Sequence, residues 1–466
     1  MGDKIIDTLN RTAKLFLDTG AAASVEDAIA KLSTFTMHLT IDAEAAASPT
    51  HQATLLTALN CGVRTFLGGV TVEGTLDVPL LVPIAAGATL ADVVVELGGT
   101  VAAHAPGTPL VAIGGTVATG PADFAIRTTF DGWRAAAIPL ASARMAERAE
   151  FALSGMLAGA LAVAEVFAHL NDEPLAGHRS VGLSLWDIDD EADWTNSRSD
   201  GPMVADLPSD FWLIGLGHLG QAYLWAMGML PFADRGSVRI FLQDVDCAGE
   251  STKSTSLLTT SADQGRRKTR ICARWAEQRG FDTAIIERRF DADFRRSDKE
   301  PGLALCGVDN PDARRILDEA GFPMVIEAGL GNGAEDFRLI RMHSFPATQR
   351  SSAIWPTAAQ IDGADSGISR TAKLKNQPAY VGLRKRGELD ECGLTLLADV
   401  AVGAPFVGVT AAAIVLAQVI RAVAGAPRVT VANIDLRSVA HRSAVVGLDA
   451  DIITFATAHA QSDQAV

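Results

Sequence analysis

Apolar and polar positions fall into two regimes along the chain. From Phe211 onward, short apolar runs alternate with longer amphipathic ones: a strand at Phe211–Ile214, a helix at Gln221–Met229, strands at Ser237–Gln243 and Thr283–Arg288 around a helix at Lys268–Gln278, then strands at Gly302–Cys306 and Pro323–Ala328, with a helix at Ala313–Ala320 between them. This β-α-β-α-β alternation predicts a parallel, doubly wound sheet, because parallel neighbours need a crossover. Residues 1–185 read as mixed α/β. Helices are predicted over Asn10–Leu17 and Val25–Leu32, short strands over Leu80–Pro83 and Pro109–Ile113, and alanine-rich helix over Met145–Leu170. Between the two lies an acidic, polar stretch, Asp187–Asp210, which reads as a linker.

The pattern divides the chain into an α/β half at 1–186, the linker at 187–210, a sharply patterned α/β domain at 211–345, a crossover at 346–398 rich in Ser, Ala, Gly and charge, and a closing helix with C-terminal strands at 399–466. A faint repeat relates Ala141–Leu170 to Leu397–Val423. The pattern alone leaves duplication and coincidence both open. Leu153–Leu170 and Val407–Val423 are apolar enough to suggest membrane spans, but the first holds Glu165 and His169 and the second Gln418 and Arg421, so both read as buried helices.

Composition adds exclusions. A net charge of −15 and a pI near 5.1 argue against non-specific binding to nucleic acid or membrane surfaces. The five cysteines form no CxxC pair, so a cysteine-rich zinc site is not expected and a reduced, cytoplasmic setting is. The N-terminal dozen residues are polar and carry no signal-peptide pattern.

Gly215-Leu-Gly217-His-Leu-Gly220 sits between a predicted strand and helix. Its glycines suit a tight turn with close backbone approach to phosphate, at a helix end carrying partial positive charge. Asp244 ends the next strand, 24 residues after Gly220, where an acid binds ribose hydroxyls. Loop and acid together indicate a nucleotide without separating ATP from NAD.

The stretch that follows carries a family resemblance. Asp244-x-Asp246, Ser251, Asp263-x-Gly265 and Lys268, then Asp309-Asn310 about 40 residues on, resemble in order and spacing the frame of the ThiF/MoeB and ubiquitin-activating adenylyltransferases, over roughly residues 211–425. The resemblance implies a Rossmann-like adenylation domain using ATP and Mg2+. Gly215, Gly217 and Gly220 would cradle phosphate, Asp244 and Asp246 would hold the ribose side, Lys268 would neutralise phosphate and Asp309 would position the metal. Thr252, Thr255 and Ser256 replace the family's Asn, Arg and Gln. Arg266, Arg267 and Arg270 are the nearby candidates to replace the lost arginine.

In two-part ubiquitin-activating enzymes a silent half resembles the active one and lends an arginine from its first helix, and the resemblance implies that residues 1–186, which hold no GxGxxG, are such a silent adenylation-like half. Asn10-Arg11-Thr-Ala-Lys14-Leu-Phe16 is similar to that segment, which makes Arg11 a candidate phosphate contact. Such enzymes pass the adenylate to a crossover cysteine. The crossover here holds Cys392, just before a predicted helix, with Cys247 as the alternative. The implied activity is adenylation of the C-terminal carboxylate of a ubiquitin-like or sulfur-carrier protein ending in Gly, followed by thioester transfer to Cys392. A conjugating enzyme and a homodimer are the implied partners. Adenylation of a peptide or small carboxylate, a degenerate nucleotide-binding module and an NAD-dependent oxidoreductase remain the alternatives.

Overall fold

Two sheets of the same strand order organise the chain. The computed structural model describes residues 2–84, 87–115, 122–189, 192–357, 370–447 and 456–461. The first sheet holds β1 (Met37–Ile41), β2 (Val70–Gly74), β3 (Thr100–Val101), β4 (Leu110–Ile113), β5 (Ala125–Asp131), β6 (Arg134–Pro139) and β7 (Val181–Ser184), in the order β3-β2-β1-β4-β5-β6-β7. After the short β8 (Asp206–Pro208), the second sheet holds β9 (Asp210–Ile214), β10 (Arg239–Gln243), β11 (Asp282–Ile286), β12 (Leu303–Cys306), β13 (Met324–Leu330), β14 (Leu339–Phe345), β15 (Val429–Asp435) and β16 (Ser443–Val446), in the order β11-β10-β9-β12-β13-β14-β15-β16. β17 (Thr457–His459) pairs with β8.

Each sheet therefore reads 3-2-1-4-5-6-7, the second adding an eighth strand. In both, the first five strands are parallel and the rest antiparallel. The central parallel strands β1, β4 and β12 are buried at every residue, which is why they read as unbroken apolar runs in the sequence. The long helices Ala152–Leu170 and Pro405–Val423 occupy the same place in each half, between the sixth and seventh strands. The faint sequence repeat thus corresponds to a duplicated topology.

Those two helices are long and apolar enough to cross a membrane, yet 89% of each apolar window is buried inside the molecule. They pack on each other, with Phe167 and Phe406 5.6 Å apart at their ring centroids. Helix Ala152–Leu170 also lies close against helix Pro49–Thr65. A Cβ on Gly155 would meet the Thr50 carbonyl oxygen at 2.2 Å, and one on Gly159 the Thr54 oxygen at 2.5 Å. Only glycine permits that approach.

Several predicted elements differ. Leu80–Pro83 is loop, held by an isolated bridge between Pro79 and Thr89. Met145–Phe151 is not helical: Asp131 and Thr129 draw its amides away (Met145 N–H to Thr129 Oγ1, 2.8 Å; Arg148 N–H to Asp131 Oδ1, 2.9 Å). Ala313–Ala320 is helical only at Pro311–Arg314 and then continues as turns. The supposed linker is tied down: Asp200 accepts from the Trp133 N–H at 2.7 Å, and β8 joins a small sheet. Of the crossover at 346–398, residues 358–369 lie outside the described residues.

One arginine staples the first half to the second. Arg64, at the end of helix Pro49–Thr65, donates to the carbonyls of Ser256 (3.2 Å), Leu257 (2.8 Å) and Thr259 (3.3 Å), and to the Asn60 side chain. Burial pulls its pKa down to about 10, still charged at neutral pH. Arg64→Ala strips those carbonyls of a shared, charged donor. It is expected to lower the urea stability of the whole chain by about 2–4 kcal/mol, measured as a shift of the unfolding midpoint.

A cleft at the switch point of the second sheet

β9 has β10 on one side and β12 on the other, so the connections leaving their C-terminal ends diverge and open a crevice. The glycine turn lies there. Gly215 has φ +80°, and a Cβ on Gly220 would meet the Gly215 carbonyl oxygen at 2.0 Å, while Gly217 faces open space. The three glycines therefore serve the left-handed turn, the strand–helix contact and the open approach in turn. Helix His218–Met229 starts at once, so its free N–H groups face the cleft.

Asp244 is buried and braces that turn. Its Oδ2 accepts from the Leu216 N–H (2.7 Å) and its Oδ1 from the Asp246 N–H (2.7 Å). Lys268 Nζ lies 3.0 Å from Asp246 Oδ2 and 3.9 Å from Asp244 Oδ2. Asp309 follows β12 on the opposite wall. Asn310, and not Asp309, caps the next helix, accepting from the Asp312 N–H at 2.9 Å. Among the described residues Asp309 has no hydrogen-bond partner. Arg11 enters the same cleft from the N-terminal segment. Burial lowers its pKa while the Asp309 charge opposes that shift. The cleft has a volume of about 1100 Å³, and Arg11, Gly215, Gly217, Asp244, Asp246, Lys268 and Asp309 all line it; Gly220 shapes it from behind.

Arg11 does not sit on a helix. The helix begins at Lys14, and the Asn10 side chain caps the turn before it, accepting from the Thr12 (2.8 Å) and Ala13 (3.1 Å) amides. Arg266, Arg267 and Arg270, the sequence candidates to make up for the arginine absent at Thr255, point elsewhere. Arg266 lies 3.6 Å from Asp263, Arg270 3.1 Å from Glu287, and Arg267 donates to the Val245 carbonyl; none lines the cleft. Arg11 is the arginine beside Thr255: a Cβ on Gly403 would lie 3.3 Å from Thr255 Cγ2 and 3.8 Å from Arg11 Cβ.

Sequence reasoning missed Arg289, Arg314, Arg315 and His218, which also line the cleft. Arg314 stands five residues after Asp309, a spacing that was available as a signal. Its Nε lies 2.9 Å from the Val308 carbonyl oxygen and 3.0 Å from Glu327 Oε1, and the fully buried Glu327 pairs with His343 at 3.0 Å. Arg314, Leu330 and Gly331 are shared with a second cleft of about 930 Å³ over β13, β14 and β15.

The first half differs at the matching place. Where β9 leads into glycine, β1 leads into Asp42, whose carboxylate accepts from the Ala45 N–H (2.8 Å) and the Gly115 N–H (2.7 Å) beyond β4. A carboxylate sits where a phosphate cradle would be, and like charge disfavours phosphate there.

Cys392 and Cys247 are the exposed thiols; Cys61, Cys272 and Cys306 are buried, and burial pushes the Cys306 pKa up to about 12. Cys392 lies at the start of helix Glu391–Asp399, whose far end lines the cleft through Leu396, Asp399 and Val400. The spacing i, i+4, i+7, i+8 places all four on one helix face, so Cys392 stands about 10 Å up the helix from Asp399. The neighbouring cations are engaged: Glu391 pairs with Arg384 (2.7 Å) and Lys375 (3.1 Å).

Among the described residues no cluster of three or more His, Cys, Asp or Glu is placed to hold a metal by itself. Mg2+ needs no such cluster when phosphates supply most of its ligands, and Asp309, an unpaired carboxylate facing the cleft, fits that mode.

Fold and cleft together define a duplicated Rossmann-like α/β protein of E1-like type. A model of the BilD N-terminal domain matches residues 36–185, and one of the BilD C-terminal domain matches residues 207–426. A bacterial E1-like protein BilD from Collimonas sp. (strain OK412) is 43% identical over 421 residues, 90% of this chain and 89% of that protein. The chain belongs to the BilD family of bacterial E1-like proteins. Solved structures of E. coli MccB are more distant: with MccA-N7isoASN, 14% identity and TM-score 0.34 over 53% of this chain and 66% of that one; without it, TM-score 0.33 over 53% and 64%.

His218 yields a test. Its Nε2 is buried without a partner, and a Cβ on Gly408 would lie 2.4 Å from it. Burial pulls its pKa from 6.5 to about 4. The folded state holds the ring neutral while the unfolded state takes up a proton below 6.5. The stabilisation is therefore complete above pH 6.5 and declines as pH falls towards 4, by roughly 2–3 kcal/mol. His218→Asn is expected to flatten the fall of urea stability between pH 7 and 4.5.

Proposed function

We propose that this chain adenylates the C-terminal carboxylate of a ubiquitin-like protein with ATP and Mg2+ and then takes the acyl group onto Cys392. The observation that carries the reading is the convergence of Arg11, Asp244, Lys268 and Asp309, from four separate parts of the chain, on one glycine-turn cleft. Membership of an E1-like family supports it. The second cleft, joined through Arg314, offers an approach for an extended tail whose carboxylate must reach the nucleotide.

Asp244 holds the ribose side, and the helix His218–Met229 N-terminus with Lys268 faces the phosphates. Lys268 would exchange its contact with Asp246 for phosphate oxygen. Arg11 and Lys268 offset the charge that grows as the carboxylate oxygen bonds to the α-phosphorus and the bond to pyrophosphate breaks. Mg2+, held by Asp309 and the phosphates, would supply further charge neutralisation. In the second step the Cys392 sulfur, as thiolate, attacks the acyl carbon. The C–S bond forms, the C–O bond to AMP breaks, AMP leaves and the thiol proton goes to solvent. Cys392 stands away from the cleft, so that step requires the crossover helix and the acyl-adenylate to approach each other. The thioester would then be available to a conjugating enzyme.

The first test is pyrophosphate release from ATP–Mg2+ in the presence of small proteins ending in glycine. Asp309→Ala and Lys268→Ala are each expected to lower it about 100-fold or more. Release from wild type that persists unchanged in both variants would overturn the assignment, and wild type that binds NAD and not ATP would restore the oxidoreductase reading. Cys392→Ser is expected to leave pyrophosphate release intact and abolish the thiol-sensitive conjugate seen on non-reducing gels. If the conjugate survives there and disappears in Cys247→Ser, the acceptor is Cys247. If wild type itself forms no such conjugate while releasing pyrophosphate, the reaction ends at the adenylate, as it would for a peptide or small carboxylate.

A further inference from the structure

Three side chains that none of the chemistry above uses form a closed, buried ring. Lys14 and Asp18 begin and end the helix Lys14–Asp18, their side chains fully buried, with Nζ and Oδ2 2.5 Å apart. The buried Tyr380, on the crossover helix Pro378–Lys385, donates its hydroxyl to Asp18 Oδ1 (2.7 Å) and accepts from Lys14 Nζ (3.3 Å). Both oxygens of Asp18 are used, and the tyrosine hydroxyl both gives and accepts. An ion pair is rarely so fully buried for stability alone, because its desolvation cost is large and an apolar pair of similar volume serves as well. What such a ring does specify is geometry.

The geometry concerns Arg11. The segment that carries it is held at two ends. At one, the Arg11 N–H donates to Ser254 Oγ (3.2 Å), the Arg11 carbonyl accepts from the Gly403 N–H (3.2 Å), and Thr12 Oγ1 donates to the Gly403 carbonyl (2.9 Å). At the other stands the ring with Tyr380. Tyr380 precedes the Cys392 helix and Gly403 follows it. Both flanks of that helix are thus fastened to the same short N-terminal segment.

We propose that Lys14, Asp18 and Tyr380 are positioning residues, a buried ring that locks the N-terminal segment to the crossover and so sets Arg11 in the nucleotide cleft. The inference rests on the reading of that cleft as an ATP site.

The test is a double-mutant cycle on ATP–Mg2+ binding, measured by calorimetry on the full chain. Tyr380→Phe is the informative variant, because it removes one hydroxyl and leaves the Lys14–Asp18 pair in place, whereas Lys14→Ala or Asp18→Ala strands a buried charge and endangers folding. Arg11→Ala is expected to weaken ATP about tenfold, the effect of one charge-assisted phosphate contact. Tyr380→Phe is expected to weaken it about fivefold in wild type and less than twofold in the Arg11→Ala background, since the ring acts through Arg11. Hydrogen exchange at residues 11–18 should quicken in Tyr380→Phe. Equal losses in both backgrounds would overturn the proposal, as would unchanged ATP affinity in Tyr380→Phe or unchanged exchange. Wild type that binds no ATP would instead sink the reading of the cleft, and unchanged exchange in Tyr380→Phe would then overturn the ring by itself.

Discussion

The packing of two nineteen-residue helices, Ala152–Leu170 and Pro405–Val423, underlies the rest of the structure. Each is too apolar to face water over most of its surface, and each covers its own sheet, so the free energy of burial is best satisfied when the two halves share them. The result is one hydrophobic cluster running from Leu9 through both halves to Val439. Glycine at 155 and 159 brings helix Ala152–Leu170 onto helix Pro49–Thr65, whose last turn carries Arg64. From there the polar contacts between halves follow.

Those contacts suggest what the first half does for the second. Its own switch point carries Asp42, a negative charge at the position matching the glycine turn of the second half. What it contributes is order. Arg64 holds the carbonyls of Ser256, which itself lines the cleft, and of Leu257 and Thr259 just after it, and Gln221 holds the same stretch from the other side through the Leu258 N–H (2.9 Å) and Thr259. A glycine turn and a polar loop are poorly determined by their own propensities. Fixing them from both sides prepares the cleft before any ligand arrives, which lowers the ordering cost of binding.

The cleft is also electrostatically balanced. Lys268 stands between two carboxylates, and Arg11 faces Asp309. A cation held near acids as Lys268 is has its partners in the free protein yet can turn to a more highly charged anion. Arg314, held by a buried Glu327 that also binds His343, is fixed more firmly and marks the boundary with the second cleft.

Periodicity and glycine punctuation revealed the doubly wound domain and the glycine turn with Asp244, because these features are local: strand, turn and helix each carry their signal within a few residues; Lys268 and Asp309 were singled out by the family resemblance of the stretch that follows. The two buried helices were legible for the same reason. The duplication was only a faint echo in sequence, since strand order is set by which strands pair, and pairing partners lie far apart in the chain. The overestimated helices at Asn10–Leu17, Met145–Leu170 and Ala313–Ala320 failed where side chains such as Asn10, Thr129 and Asp131 took the backbone amides, or where the chain turned after Arg314. Tertiary structure alone decided that Arg11 stands in the cleft near Thr255, that Arg266, Arg267 and Arg270 lie outside it, and that Cys392 shares a helix face with the cleft wall. Such facts depend on contacts across hundreds of residues, which hydrophobic burial imposes and no local pattern records.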